Sequence, residues 1–120
     1  MKPAYKNKWG IFLSLVLMGV ICGCDRSAKH QSAEEKASAV LVKQGKVVYM
    51  ANCIACHNVE THKDGSLGPA IAGSSLELLQ FRVLQAQYPE GYTPKRTTHL
   101  MVPLSHLKND IQALHAFLNQ

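Results

Sequence analysis

The sequence predicts an all-α fold. Apolar residues recur at helical spacing in three stretches, no stretch alternates between apolar and polar residues as a half-buried strand does, and Gly and Pro collect between the stretches. Helices are expected at about residues 37–52, from Ser74-Ser75 to a stop before Tyr88-Pro89, and from Ser105 or Asn109 to the end. The connecting segments 57–73 and 88–104 are long for so small a domain, so we expect them to pack against something.

The first 23 residues are predicted to be a cleaved export signal. Lys2, Lys6 and Lys8 precede the apolar run GIFLSLVLMGVI, which has roughly 12 residues against the ~20 that a membrane-spanning helix needs. The run ends in ICGC. This layout resembles a bacterial lipoprotein signal, in which Cys24 is acylated and becomes the new N-terminus. An ordinary cleaved signal and a retained N-terminal anchor helix are the alternatives.

Much of the net charge belongs to this signal. The complete sequence has 13 basic and 8 acidic side chains and a net charge of +5 at pH 7. Loss of Lys2, Lys6 and Lys8 leaves 10 basic residues against the same 8 acidic ones, a net charge of +2. No basic stripe with interleaved aromatic residues then remains, so a nucleic-acid partner is not expected.

Residues 24–38 are predicted to form a flexible tether. The stretch DRSAKHQSAEEKAS is polar and has no large apolar residue, which is typical of a linker. His30 lies inside it and is expected to be solvated. The folded domain is expected over residues 39–120, and about 80 residues are few for a core built from side chains alone. A large apolar prosthetic group would supply the missing interior.

The first predicted helix places Val40, Leu41, Val48 and Tyr49 near one face. Gly45 lies in its middle, where glycine lowers helix stability relative to alanine. We therefore expect another element to approach the helix closely at Gly45.

The other two helices have clearer boundaries. Ser74 and Ser75 are suitable N-cap residues for the second helix, with Glu77 in its first turn. Its apolar residues at helical spacing are Leu76, Leu79, Val83 and Ala86. The apolar stripe of the third helix consists of Ile111, Leu114, Phe117 and Leu118.

The segment CIACHNVETH, residues 53–62, contains the residues best suited to bind a metal or a cofactor. Its two cysteines and following histidine suit a structural metal site, a thiol–disulfide pair or the covalent attachment of a haem. A zinc site needs four ligands, and Cys53, Cys56, His57 and His62 are the candidates. A thioredoxin-like pair needs a βαβ context, which is absent from the predicted pattern. In the haem interpretation, each thiol adds to one vinyl group and the histidine binds the iron.

From about residue 38 to 120 the chain resembles the monohaem class I cytochromes c, especially the small bacterial type. The matching positions of the first helix are Lys43, Gly45, Tyr49, Cys53, Cys56 and His57, and those of the following loop are Gly68, Pro69, Ile71 and Gly73. The resemblance implies three to four helices around one covalent haem c, held by Cys53 and Cys56. It also implies that His57 binds the iron and donates a hydrogen bond to the carbonyl of Pro69, and that the terminal helices cross where Gly45 meets Phe117.

The resemblance also implies a sixth iron ligand. Met50 and Met101 are the only methionines after the predicted signal, and Met50 is expected to pack in the core. Met101 lies shortly before the last helix, as in the family, and is the expected ligand. Val102 separates it from Pro103, where the family often has proline directly after the methionine. His99 and an open sixth position are the alternatives.

The function implied is that of an electron carrier and not of an enzyme. We expect a periplasmic protein, anchored to the inner membrane through Cys24, that exchanges electrons with redox proteins. The residue after the lipid cysteine, Asp25, resembles an inner-membrane retention mark. The alternatives are a dedicated subunit of a dehydrogenase or oxidase, and a haem enzyme or gas sensor with an open iron site. Candidate contacts for the haem propionates are Arg82, Tyr92, Lys95 and Arg96.

Overall fold

The computed structural model describes residues 26–120, with side chains from Ser32 onward. The described part is helical and contains no β-strand. Its elements are α1 (Arg26–Asn52), α2 (Leu76–Gln85), a 3₁₀ helix (Ser105–Asp110) and α3 (Ile111–Leu118). The predicted all-α fold is confirmed, and the segments 57–73 and 88–104 are loops, as expected.

The chain divides into two units between Ala33 and Glu34. Residues 26–33 are the described part of the first unit and form the start of α1. The second unit, Glu34–Gln120, contains the core. None of the described helices combines the length and apolar character needed to cross a membrane.

Helix α1 begins about eleven residues earlier than the sequence pattern predicts. The predicted tether at 24–38 is therefore helical from Arg26 onward and is not a coil. Its residues include Ala, Glu and Lys but no Gly or Pro, so the same polar composition that suits a linker also suits a helix. Its place between a membrane anchor and the domain stays a prediction, because the signal at residues 1–23 and Cys24 lie outside the described residues.

The core lies between the C-terminal half of α1 and the last three helical elements. Its buried members are Tyr49, Leu79, Val83, Leu107, Ile111, Leu114, Phe117 and Leu118. The predicted apolar stripe of the third helix is thus buried along its whole length. Each such side chain contributes about 1.5–3 kcal/mol when fully removed from water.

Helices α1 and α3 are in close contact at Gly45. A Cβ atom at this position would overlap the backbone carbonyl of Ala113 and lie 2.8 Å from Cβ of Phe117. One turn further along α1, the rings of Tyr49 and Phe117 pack with centroids 5.4 Å apart. The close approach predicted at Gly45 is confirmed, and its cause is the crossing of α1 and α3.

The opposite side of α1 differs from the prediction. Val40 is 65% exposed and Leu41 39% exposed, so neither joins Tyr49 in the core. Met50, a residue expected to pack in the core, is 37% exposed. Because apolar residues occur on two sides of α1, the periodicity alone does not identify the buried side.

Helix α2 is closed at both ends by local hydrogen bonds. The Ser75 side chain accepts a hydrogen bond from the backbone N–H of Leu78 at 3.2 Å, as expected of an N-cap. At the other end Ala86 adopts a left-handed conformation with φ of 56°, and its N–H donates to the carbonyl of Arg82. The chain leaves the helix before Tyr88-Pro89, as predicted.

Candidate functional site

The cysteine–histidine segment follows α1 in a hydrogen-bonded turn. The N–H of Cys53 donates to Tyr49 O at 2.9 Å, and the N–H of His57 donates to Cys53 O at 2.9 Å. The buried hydroxyl of Tyr49 donates to Asn58 O at 2.5 Å. The end of α1 and the chain beyond His57 are thereby joined, which fixes the turn that carries both thiols.

A cavity of about 220 Å³ opens beside this turn. Cys53, Cys56, His57, Pro69 and Met101 all line it, although Met101 is separated from His57 by two loops and α2. Most of the other lining residues are apolar, among them Leu67, Ile71, Leu78, Leu79, Val83, Leu104 and Leu114. The fold therefore brings the predicted haem-binding residues around one largely apolar space.

The imidazole of His57 is oriented by the loop that follows it. Nδ1 of His57 lies 2.8 Å from the carbonyl oxygen of Pro69. A carbonyl can only accept a hydrogen bond, so Nδ1 carries the proton and Nε2 of the neutral ring is left with a free lone pair. A nitrogen in this state is suited to bind iron.

Gly68 gives the imidazole its space. A Cβ atom at this position would lie 2.6 Å from Nδ1 and 2.8 Å from Nε2 of His57. The N–H of Gly68 donates to Cys56 O at 2.9 Å, which holds the loop against the turn. Any side chain at position 68 would therefore displace the ring of His57.

The two thiols differ in environment. Cys53 is partly buried and Cys56 is exposed, and both are free. Burial, with a smaller contribution from neighbouring Cys56, raises the pKa of Cys53 to about 11. The Cys53 thiol is thus protonated at neutral pH, and it ceases to titrate once it is converted to a thioether.

Met101 and His99 are placed differently. Met101 is half-buried, packs against the core and lines the cavity. His99 is exposed and is not among the lining residues. The segment after Met101 is fixed to α2, because the N–H of Leu104 donates to Val83 O at 2.6 Å. The thioether is therefore held at the cavity wall from its C-terminal side.

One part of the cavity wall carries cations and phenols. Arg82, Lys95, Arg96, Tyr88 and Tyr92 line it, and the lining contributed by the described residues includes no carboxylate. The guanidinium of Arg82 lies 4.2 Å from the ring centre of Tyr88, which stacks on Tyr92 with centroids 5.2 Å apart. Such a wall fits an anionic group, as the propionates of a haem are.

The two long loops are joined at Asp64. One oxygen of its carboxylate accepts a hydrogen bond from the N–H of Ala70 at 2.7 Å, and the other lies 3.2 Å from Nη2 of Arg96. These contacts, the Ala70 N–H first and Arg96 second, lower the pKa of Asp64. Lys95 adds a second connection by donating to Ala70 O at 2.8 Å. These contacts thus hold the loop that contains Pro69 against the loop that contains Met101.

The zinc hypothesis finds no matching arrangement. Within residues 26–120, no group of three or more His, Cys, Asp or Glu residues is placed to hold a metal ion. His62 is exposed, with Nε2 3.5 Å from a carboxylate oxygen of Glu60. The donors at the cavity are an imidazole, a thioether and two thiols, and this set fits a haem attached through both cysteines.

The sequence patterns do not reveal the roles of Tyr88 and Asp64. Tyr88 is interpreted from sequence only as part of a helix stop, although an aromatic residue near the basic Arg82 could suggest a stacked pair. Asp64 precedes Gly65 in an Asp-Gly dipeptide, a turn signal. Nothing local indicates that its carboxylate reaches Arg96, 32 positions further along the chain.

Comparison with known families gives one match. The family model described as cytochrome c matches residues 42–120, about two thirds of the chain. No curated protein and no solved structure matches the chain.

Proposed function

The chain belongs to the cytochrome c family, and we propose that it transfers single electrons between redox proteins in the periplasm while tethered to the inner membrane. The family relationship assigns it one covalently attached haem c and an electron-transfer role. Members are generally electron carriers and not enzymes. We assign covalent attachment to Cys53 and Cys56, and iron ligation to His57 and Met101.

The arrangement of Cys53, Cys56, His57 and Met101 around one cavity carries this proposal. When bound, haem c supplies an iron that gains or loses one electron with little change in geometry. The two thiols form the thioether bonds, and the adjacent imidazole then has little freedom to leave the iron. The apolar lining excludes water from the centre, and low polarity around the iron is one of the factors that set its potential.

His57 serves as a neutral, oriented ligand. The hydrogen bond from its Nδ1 to Pro69 O fixes the tautomer and raises the basicity of Nε2. Gly68 and the Asp64–Arg96 pair act through this bond, since they determine where the loop carrying Pro69 lies. They are positioning residues and not ligands.

Met101 would serve as the second iron ligand. A thioether favours ferrous iron and raises the reduction potential relative to a second histidine. Its position at the cavity wall, with His99 exposed, supports this assignment over the alternative. If His57 and Met101 both bound the iron of the haem, no coordination site would be left for a substrate, as an electron carrier requires.

The basic wall is assigned to the haem propionates. Arg82 is stacked on Tyr88, while Lys95 and Arg96 are held by polar contacts to the loop before α2. Side chains fixed in this way meet an anion with little further loss of conformational entropy. A cation beside the haem also disfavours the additional positive charge of ferric iron, so this wall should raise the reduction potential.

The membrane attachment rests on the sequence. The basic residues and apolar run before Cys24 support export and lipidation, and Asp25 supports retention in the inner membrane. Processing of the precursor that is unaffected by globomycin, an inhibitor of lipoprotein signal peptidase, would argue against lipidation while leaving the haem assignment intact.

The haem assignment is tested on protein exported by a cell that makes c-type cytochromes. A pyridine haemochrome assay and intact-mass measurement should show one haem per chain, and Cys53→Ala or Cys56→Ala should each leave fewer than two thioether bonds. Cys22→Ala is the matched control, because Cys22 is removed with the predicted signal. Exported protein whose mass includes no tetrapyrrole would refute the assignment.

A further inference from the structure

The side of α1 that faces away from the core is partly apolar. Its members are Lys36, Val40, Lys43, Val47 and Met50, which we call the α1 outer face. At 3.6 residues per turn they lie within about 80° of one another around the helix. Val40 is 65% exposed, Val47 64% and Met50 37%. Two valines and a methionine therefore meet solvent along about 20 Å of helix, at 1.5 Å per residue.

No described element covers this face. Gly45 and Tyr49, which contact α3, lie on the opposite side of the helix. The side chains of Lys36 and Lys43 are exposed as well. None of the five residues belongs to the core or to the partly buried side chains that pack against it.

From Lys36 onward the charged side chains of α1 are all basic, although Glu34 and Glu35 directly precede this part of the helix. From Lys36 to Ile54 the sequence contains three lysines, at 36, 43 and 46, and no Asp or Glu. The carboxylate of Asp110 borders the region and accepts a hydrogen bond from Gln44 at 2.9 Å. A surface that docks here should therefore be anionic and should accept apolar side chains.

A second copy of the chain does not meet this requirement. Lys36 and Lys43 alternate with the valines, so two such faces would bring lysines against lysines. An anionic lipid surface does meet it, because lysine stems lie along the apolar boundary while their ammonium groups reach the headgroups. Each lysine close to such a surface adds to the binding energy.

We propose that the α1 outer face rests on an anionic bilayer surface and orients the haem domain relative to the membrane. This inference rests on the proposed lipid at Cys24. Lys36 follows Cys24 by twelve positions, a distance of at most about 40 Å even for fully extended chain. Because the anchor keeps the face at high effective concentration near the lipid, a contact too weak to bind a free protein suffices.

The test measures the protection of a single introduced thiol in the mature haem protein. Val47→Cys reports on the outer face, and Val59→Cys is the matched control, because Val59 is 57% exposed and lies outside both the cavity and α1. Each variant is reconstituted into vesicles of phosphatidylcholine alone or with phosphatidylglycerol, and its reaction with an uncharged maleimide is followed by mass. The Val47→Cys protein should react several-fold more slowly on the anionic vesicles, while the rate of the Val59→Cys protein should not change.

The charge requirement is tested in the same assay. Replacing Lys36, Lys43 and Lys46 by Gln should restore the reaction rate of the Val47→Cys protein, and so should about 1 M salt, at which the screening length falls to ~3 Å. Equal rates for this thiol on neutral and anionic vesicles would overturn the proposal. Protection of the thiol that occurs only in native membranes would overturn the proposal and would indicate a protein partner. Protection that rises with protein concentration in detergent would also overturn it and would indicate a second copy of the chain.

A separate measurement would show whether the lipid anchor at Cys24 is absent. Protein recovered in the soluble fraction with an unacylated N-terminus would contradict the proposed lipidation. Vesicles added to that protein at rising lipid concentration would still test the surface, because a high lipid concentration replaces the anchor. Protection of the thiol at position 47 that increases with anionic lipid supports the proposal, and a rate that stays unchanged up to the highest lipid concentration rejects it.

Discussion

The imidazole of His57 and the backbone carbonyl of Pro69 are joined by a hydrogen bond of 2.8 Å across twelve residues of chain. This bond places a proton on Nδ1 and leaves the lone pair of Nε2 free in the neutral ring. It depends on a loop whose own position is set by Gly68 and by the carboxylate of Asp64. The properties of the iron centre should therefore respond to substitutions that never touch the haem.

Gly68→Ala should disturb the imidazole of His57 directly. The new Cβ would lie 2.6 Å from Nδ1 of His57, so the ring must move and its bond to Pro69 must lengthen. We expect a changed ferric absorption spectrum, a shifted reduction potential and a loss of about 1–3 kcal/mol in the free energy of unfolding, as for other overpacked sites. Spectroelectrochemistry and denaturant unfolding measure these effects. Ser66→Ala, in the same loop and exposed, is the control, and identical potentials for the two variants would contradict the expectation.

Met101→Ala should open the sixth coordination position. The oxidised protein should lose the weak long-wavelength band of sulfur–iron ligation, and the reduced protein should bind carbon monoxide at neutral pH. His99→Ala should keep the band and should not bind the gas. If instead the histidine variant gains carbon monoxide binding while Met101→Ala does not, His99 is the ligand and the assignment is wrong.

Gly45→Ala should weaken the contact between α1 and α3. Its Cβ would overlap the Ala113 carbonyl, which belongs to backbone and cannot turn away. We expect the free energy of unfolding to fall by about 1–3 kcal/mol, measured with guanidinium on the haem protein. Lys46→Ala, at the next residue and exposed, should stay within about 0.5 kcal/mol of wild type. A Gly45→Ala protein as stable as this control would show that the helices separate at no measurable cost.

Asp64→Asn should change the dependence of stability on pH. The pKa of Asp64 is lowered in the folded protein, so its ionised form stabilises the fold. That contribution is complete above the unfolded-state pKa of about 3.9 and is lost as the pH falls through the lower folded value. The difference in Tm between wild type and Asp64→Asn should therefore be largest above about pH 5 and should shrink towards about pH 2.5.

The control for this measurement is Glu90→Gln, which removes an exposed carboxylate elsewhere in the second loop. Other groups also titrate in acid, but they do so in both proteins, so the comparison between variants isolates Asp64. A Tm difference that is the same at all pH values would mean that the carboxylate's charge does not matter.

Features that depend on local spacing are predictable from the sequence. Ser75 marks the start of α2, and Ile111 and Leu114 mark the buried side of α3, because caps and helical periodicity involve residues a few positions apart. Gly45 indicates the helix crossing because glycine is unfavourable in a helix interior unless space demands it. The cluster of Cys53, Cys56 and His57 likewise follows from spacing.

Features that depend on distant residues cannot be predicted in this way. Val40 and Tyr49 lie on opposite sides of one helix, and only α3 determines which side is buried. The polar start of α1 suits a coil and a helix equally well. The Asp64–Arg96 pair joins two loops without periodic structure, so no local sequence pattern predicts the pair.

The segment that carries Met101 is fastened at both ends, at Arg96 to Asp64 and at Leu104 to Val83. When such a segment detaches from the domain, its two ends stay fixed. Because the loop between them is short, detachment gains little conformational entropy. Release of the proposed Met101 ligand from the iron should then need only a local fluctuation that reverses without disturbing the helices. The amide hydrogen of Leu104, which donates to Val83 O, would exchange when the segment opens at this end and so would report how often it does.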